Sequence, residues 1–135
     1  MIEGWLVPEN TTVTAKGDGP AIEVAGAGSR VFLLTLNISE IIEQESLDVS
    51  VYGSADGATW SAKPVVAFPQ KFYRGTHPIL LDLNADSATK YVRAHWEVNR
   101  WGRGVDTPMF QFSVQLKEVP ADVLQEATAE AKSLL

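Results

Sequence analysis

From Thr11 to about Glu118, apolar and polar residues alternate in short runs separated by turn formers, the period-two pattern of β-strands. Thr11–Ala15 is a β-branched run that stops at the breaker cluster Lys16-Gly17-Asp18-Gly19-Pro20, where Gly17 or Gly19 suits a positive φ. Ala21–Val24 follows, and the two runs are placed to pair as a hairpin. Arg30–Ser39 carries Phe32, Leu34, Leu36 and Ile38 on one face. Val31 and Leu33 begin the other, so a central strand covered on both faces is expected. Leu47, Val49 and Val51 alternate with Asp48, Ser50 and Tyr52, which predicts a half-buried strand running into the turn Ser54–Trp60.

Pro64, Pro69 and Pro78 interrupt the next segment and assign it to edge strands or irregular crossings, because proline cannot donate to a central ladder. Ile79–Leu83 is a further short strand. In Lys90–Val98 the apolar face is Val92, Ala94, Trp96 and Val98, and the polar face is Tyr91, Arg93, His95 and Glu97. A loop over 99–108 precedes the most regular strand, where Phe110, Phe112, Val114 and Leu116 oppose Gln111, Ser113, Gln115 and Lys117. From Pro120 the pattern changes to strong helix formers, with Val123, Leu124, Ala127, Ala131 and Leu134 at helical spacing.

These runs predict an all-β antiparallel β-sandwich, jelly-roll in preference to immunoglobulin-like, with one C-terminal α-helix. The sandwich domain spans residues 1–118, its first ten residues an N-terminal arm. The helix occupies 119–135 and docks on its own sandwich or on a neighbouring subunit.

Composition narrows the function classes. The 135 residues suit one domain, and 45% hydrophobic content fills one core. A net charge of -6 disfavours nucleic acid and anionic membranes as partners. With no cysteine, there is no disulfide framework, thiolate metal site or cysteine nucleophile. The start Met1–Pro8 lacks the basic segment and apolar run of an export signal, and no apolar run reaches the roughly 20 residues of a membrane span.

Candidate chemistry is sparse. His77 and His95 are the only histidines, and no Gly-x-Ser-x-Gly elbow supplies a nucleophile, so no catalytic residue is assigned. His95 sits between Arg93 and Glu97, where cross-strand polar pairing is expected. Asp18, Glu43, Glu45, Asp48, Asp82 and Asp86 lie in or beside loops, but no Asp-x-Asp-x-Asp-Gly spacing organises them for calcium. No metal and no cofactor is expected. The loop Asn99–Asp106 sets Trp101 between Arg100 and Arg103, a flat apolar surface with bidentate donors suited to a sugar, a peptide or another subunit. Tyr73 and Arg74 form a second such loop.

The turn Ser54-Ala55-Asp56-Gly57-Ala58-Thr59-Trp60 resembles the Asp-box of sialidases, Ser-x-Asp-x-Gly-x-x-Trp, but is one residue short between Asp and Gly. Hairpin physics accounts for it: Asp56 accepts turn amides, Gly57 takes a positive φ, and Trp60 covers the sandwich end. Thr11–Ala15 with its glycine cluster, Leu34–Ile38, Leu47–Val51 before Ser54–Trp60, and Lys90–Ala94 before Phe110–Val114 together resemble small β-sandwich structural proteins of tailed phages and prophages. The resemblance covers residues 11–118. It implies a non-catalytic, virion-associated role in capsid decoration or as a head or tail accessory, assembled in the host cytoplasm. The implied partners are further copies of the chain and other virion structural proteins. The Ser-x-Asp-Gly-x-x-Trp feature is also similar to discoidin-like carbohydrate-binding jelly rolls, which implies surface glycans as an alternative ligand.

Overall fold

The computed structural model describes residues 2–41, 45–71, 73–100 and 109–120. Within them the chain forms β1 (Glu3–Val13), β2 (Gly17–Asp18), β3 (Ile22–Glu23), β4 (Val31–Ile41), β5 (Glu45–Ser54), β6 (Val66–Ala67), β7 (Gly75–Asp82), β8 (Tyr91–Arg100) and β9 (Phe110–Glu118). One sheet has the order β1-β9-β4-β7. The other has the order β2-β8-β5-β6, with β3 also on β8. Every pairing is antiparallel.

The alternation read along the chain decides which side chains point inward. Phe32, Leu34, Leu36 and Ile38 of β4 and Phe110, Phe112, Val114 and Leu116 of β9 are buried on the first sheet. Leu47, Val49 and Val51 of β5 and Val92, Ala94 and Trp96 of β8 are buried on the second. All belong to one continuous hydrophobic cluster, so the two sheets share a core. Each aliphatic or phenyl group buried there stabilises the fold by about 1.5–3 kcal/mol. Trp96 packs edge-on to Phe112, ring centroids 5.6 Å apart, and its indole N–H donates to the Ala15 carbonyl at 3.1 Å. Glu118, also buried, accepts the Ile2 amide at 3.0 Å and ties the chain start to the end of β9.

Several expectations change. Residues 3–10, expected as an arm, belong to β1, which pairs along β9 from Glu3↔Lys117 to Val13↔Phe110. The hairpin between Thr11–Ala15 and Ala21–Val24 does not form: β1 lies in the first sheet, whereas β2 and β3 lie on β8 in the second. Burying Leu6, Val7 and Val13 beside β9 outweighs the short local turn. The chain therefore crosses from one sheet to the other between Val13 and Gly17.

Neither Gly17 nor Gly19 has a positive φ; among the described glycines Gly57 and Gly75 do. Close approach explains the pair instead. A Cβ on Gly17 would lie 2.9 Å from Cζ2 of Trp96, and one on Gly19 would collide with the Leu6 carbonyl.

β4 is central in its sheet, as expected; on its outer face Val31 is buried and Leu33 is 36% exposed among the described residues, and the expected cover from the C-terminal helix lies outside them. β8 continues through Arg100, beyond the expected loop boundary. β6 and β7 are edge strands, in keeping with the prolines. The expected C-terminal helix lies outside the described residues from 121 onward.

Candidate functional site

The outer face of the first sheet carries a polar recess. Alternation turns Thr35 and Asn37 of β4 and Ser113 and Gln115 of β9 away from the core. The register sets Thr35 beside Gln115 and Asn37 beside Ser113. On one flank Trp5 of β1 lies opposite Gln115; on the other, Thr76 of β7 lies opposite Asn37 and its hydroxyl donates to Asn37 Oδ1 at 3.1 Å. Glu9, Asn10, Ser39 and Phe112 complete a groove of about 380 Å³.

Local backbone features shape its end. β1 is bulged between Val7 and Thr11, and Asn10 there has φ 61°, a left-handed conformation that asparagine tolerates better than most residues. A second irregularity, between Ile38 and Glu40, turns Ser39 so that its hydroxyl reaches the Gln111 carbonyl at 3.1 Å. The lining is dominated by hydroxyl and amide groups, with one carboxylate, Glu9, and the half-exposed indole of Trp5. Such a set offers donors and acceptors together with a flat apolar surface.

The outer face of the second sheet holds a smaller, more charged recess of about 280 Å³ lined by Asp18, Tyr52, Trp60, Ser61, Arg93 and His95. Here β2 is the positioning element, because pairing Asp18 opposite His95 brings its Oδ1 to 2.9 Å from Nδ1 of the imidazole. Since a carboxylate accepts only, Nδ1 carries the proton. Arg93 Nε lies 3.8 Å from the same carboxylate oxygen, and the guanidinium stands over the Trp60 ring at 4.3 Å. Trp60 is thus held on the face of the second sheet, not over the end of the sheets as expected.

An Asp–His pair is half of a hydrolytic arrangement, but the Ser61 hydroxyl donates to the Lys63 carbonyl at 2.8 Å and accepts from the Gly53 amide at 3.2 Å. Its proton is directed away from His95.

The turn before Trp60 follows the expected chemistry. Ser54 Oγ accepts the amides of Asp56 and Gly57 and donates to Asp56 Oδ1, which accepts the amides of Ala58 and Thr59 at 2.8 and 2.9 Å. Those amide bonds, led by Thr59 and then Ala58, hold the Asp56 carboxyl below its ordinary value of 3.8. Gly57 takes φ 81°.

Of the residues singled out in the sequence, Tyr73 and Arg74 are exposed on the bend leading into β7, with Tyr73 edge-on to His77 at 5.6 Å. Trp101, Arg103 and the side chain of Arg100 lie outside the described residues. Among the described residues no three His, Asp or Glu side chains cluster as a metal site. Asp82 instead accepts the Asn84 amide, and Asp48 accepts from Gln70 Nε2. Among those residues, too, no helix is long and apolar enough to cross a membrane.

The groove residues of β4 and β9 other than Phe112 are not evident from sequence because each is only the polar half of an alternation. One signal marks them: the outward positions of β4 and β9 near the groove are Thr, Asn, Ser and Gln, where a merely solvated strand face would favour charges. No protein-family model and no curated protein matches this chain.

Proposed function

We propose that this protein is a non-catalytic binding domain that holds a neutral saccharide chain in the groove on the outer face of the β1-β9-β4-β7 sheet. The observation that carries the reading is the lining itself: Trp5 on one wall and the hydroxyls and amides of Thr35, Asn37, Thr76, Ser113 and Gln115 across the floor. An indole supports the apolar face of a pyranose, and side-chain amides bond its hydroxyls in pairs. The open groove admits a chain rather than a single enclosed ring, and a volume near 380 Å³ is within the range of ligand sites.

The fold reading that accompanies it is a jelly-roll β-sandwich. Its support is the nesting of the pairs, β1 with β9, β2 with β8, β4 with β7 and β5 with β6, as in a long hairpin rolled into two sheets. Jelly rolls serve both lectins and viral capsids, so fold alone does not choose between them.

A glycan array spanning neutral and acidic oligosaccharides tests the site. Neutral glycans are expected to bind, with affinity reduced by about tenfold or more in Trp5→Ala and Asn37→Ala at unchanged melting temperature. A blank array, or binding indifferent to both substitutions, overturns the assignment.

A second reading, a virion structural protein docking in several copies, is favoured by the exposed Leu33 and Leu80 beside the open edge of the same sheet. Co-sedimentation with phage-type particles, lost in Leu80→Lys, is its expected result. Particles that leave the protein in the supernatant count against it.

A further inference from the structure

Sheet edges are the places where backbone donors and acceptors stay unpaired, and folds ordinarily blunt them. Three of the edges here follow that rule. β1 is broken by two register shifts and contains Pro8, and β3 and β6 are two residues long. β7 does not follow it. It runs eight residues in unbroken register with β4, from Ile38↔Gly75 to Val31↔Asp82, with its other side open among the described residues.

The parity of its hydrogen bonds is known. The Leu83 amide donates to the Arg30 carbonyl at 2.8 Å, so odd-numbered residues bond to β4, and Thr76, Pro78, Leu80 and Asp82 present their backbone groups outward. Pro78, lacking an N–H, occupies an outward position, where it costs the sheet nothing.

The side chains at this edge are unusual for a solvated surface. Leu80 is 58% exposed, its register partner Leu33 is 36% exposed, and Tyr73 at the start of the strand is 56% exposed. They are three of the four large exposed hydrophobics among the described residues; the fourth is Trp5 in the groove.

We propose that β7 pairs antiparallel with β7 of a second copy of this chain, about a two-fold axis through Ile79, so that two four-stranded sheets become one. In that register Thr76 faces the second copy's Asp82 and Pro78 faces its Leu80. Thr76 and Asp82 exchange both backbone bonds, and the Leu80 amide donates to the Pro78 carbonyl. The missing N–H of Pro78 forgoes one bond in each copy. Apolar meets apolar, and no carboxylate meets another.

Charge complementarity selects a second copy as occupant. Arg74 stands before one end of the strand, and Asp82 and Asp86 stand at the other. Antiparallel self-pairing brings each Arg74 beside the acidic end of the other copy. The pairing is independent of what the groove binds, though it would align two grooves on one continuous face. One strand pair makes a small interface, so association belongs in the weak class, with a Kd on the order of micromolar to millimolar.

Sedimentation equilibrium of the whole chain from about 10 µM to 1 mM, a range chosen to bracket that Kd, tests the proposal. The mass is expected to rise from 14.7 kDa towards twice that value. Arg74→Glu and Asp82→Lys should each weaken association by roughly tenfold at low salt, and the combined charge swap should restore it. Melting curves at low concentration verify that each variant is folded. A chain that stays at the monomer mass throughout, or a dimer unaffected by either single charge reversal, overturns the pairing. So does a swap that fails to restore association.

Discussion

Arg30 holds the β7–β8 connection from a distance, and its removal is expected to cost about 2 kcal/mol. Its guanidinium donates to the Asp86 carbonyl at 2.8 Å, to the Thr89 carbonyl at 3.2 Å from both terminal nitrogens, and to the Leu83 carbonyl at 3.3 Å. These contributions are unequal. Asp86 is exposed, so water replaces that bond at little cost. The Leu83 carbonyl keeps the Asp86 amide at 3.0 Å. Thr89 is buried, and losing a charged donor to its carbonyl accounts for most of the loss, about 1.5–3 kcal/mol.

Backbone strain separates two ways of deleting the side chain. Arg30 has φ 58°, a conformation that costs an L-residue about 1–2 kcal/mol and glycine almost nothing. Arg30→Ala therefore loses the clamp and keeps the strain, whereas Arg30→Gly loses the clamp and relieves the strain. Urea denaturation should place Arg30→Ala about 2 kcal/mol below wild type and Arg30→Gly about 1 kcal/mol above Arg30→Ala. The corresponding melting-temperature loss for Arg30→Ala is roughly 6–10 °C for a chain of this size. An Arg30→Ala protein within about 0.5 kcal/mol of wild type, or a glycine variant no more stable than the alanine one, would refute the reasoning.

Three further outcomes follow from the same geometry. Gly17→Ala drives a methyl into the buried Trp96 ring and should destabilise by about 1–3 kcal/mol in denaturant titration, with a shifted Trp96 fluorescence signal. His77 has its pKa lowered, first by burial and then by the Lys71 charge, and its buried Nε2 has no hydrogen-bond partner among the described residues. The unfolded chain therefore binds the proton more readily. Stability is full above pH 6.5 and falls as pH drops from 6.5 through the folded pKa, a slope that should flatten in His77→Gln when unfolding is measured between pH 8 and pH 5. Asp56 also titrates low in the fold, so the turn holds above pH 3.8 and loosens as pH falls through the depressed value; amide exchange at Ala58 and Thr59 should accelerate there, and in Asp56→Ala at neutral pH.

The Ser54–Gly57 turn was legible residue by residue because its donors and acceptors all lie within a few positions of one another. The inward faces of β4, β5, β8 and β9 were legible for a related reason: a period of two assigns a face without reference to the partner strand. The role of the twin glycines in the breaker cluster is not legible locally, because their constraint comes from Trp96 and Leu6, far away in sequence. Residue type alone points to Tyr73 and Arg74 as contact residues, and the structure sets them at the head of an edge that is open among the described residues.

By itself, then, the sequence determined strand composition, the buried half of each alternation and the local turn chemistry. Tertiary structure decided the partners. Backbone hydrogen bonds are nearly indifferent to side-chain identity, so nothing in Glu3–Val13 announces that it will lie beside Phe110–Glu118. That pairing, with β4 and β7 beyond it, brings Trp5, Asn37, Thr76 and Gln115 onto one surface and leaves β7 with a free side among the described residues. A groove made from four strands is a property of their order, and the order follows from burying both inner faces together.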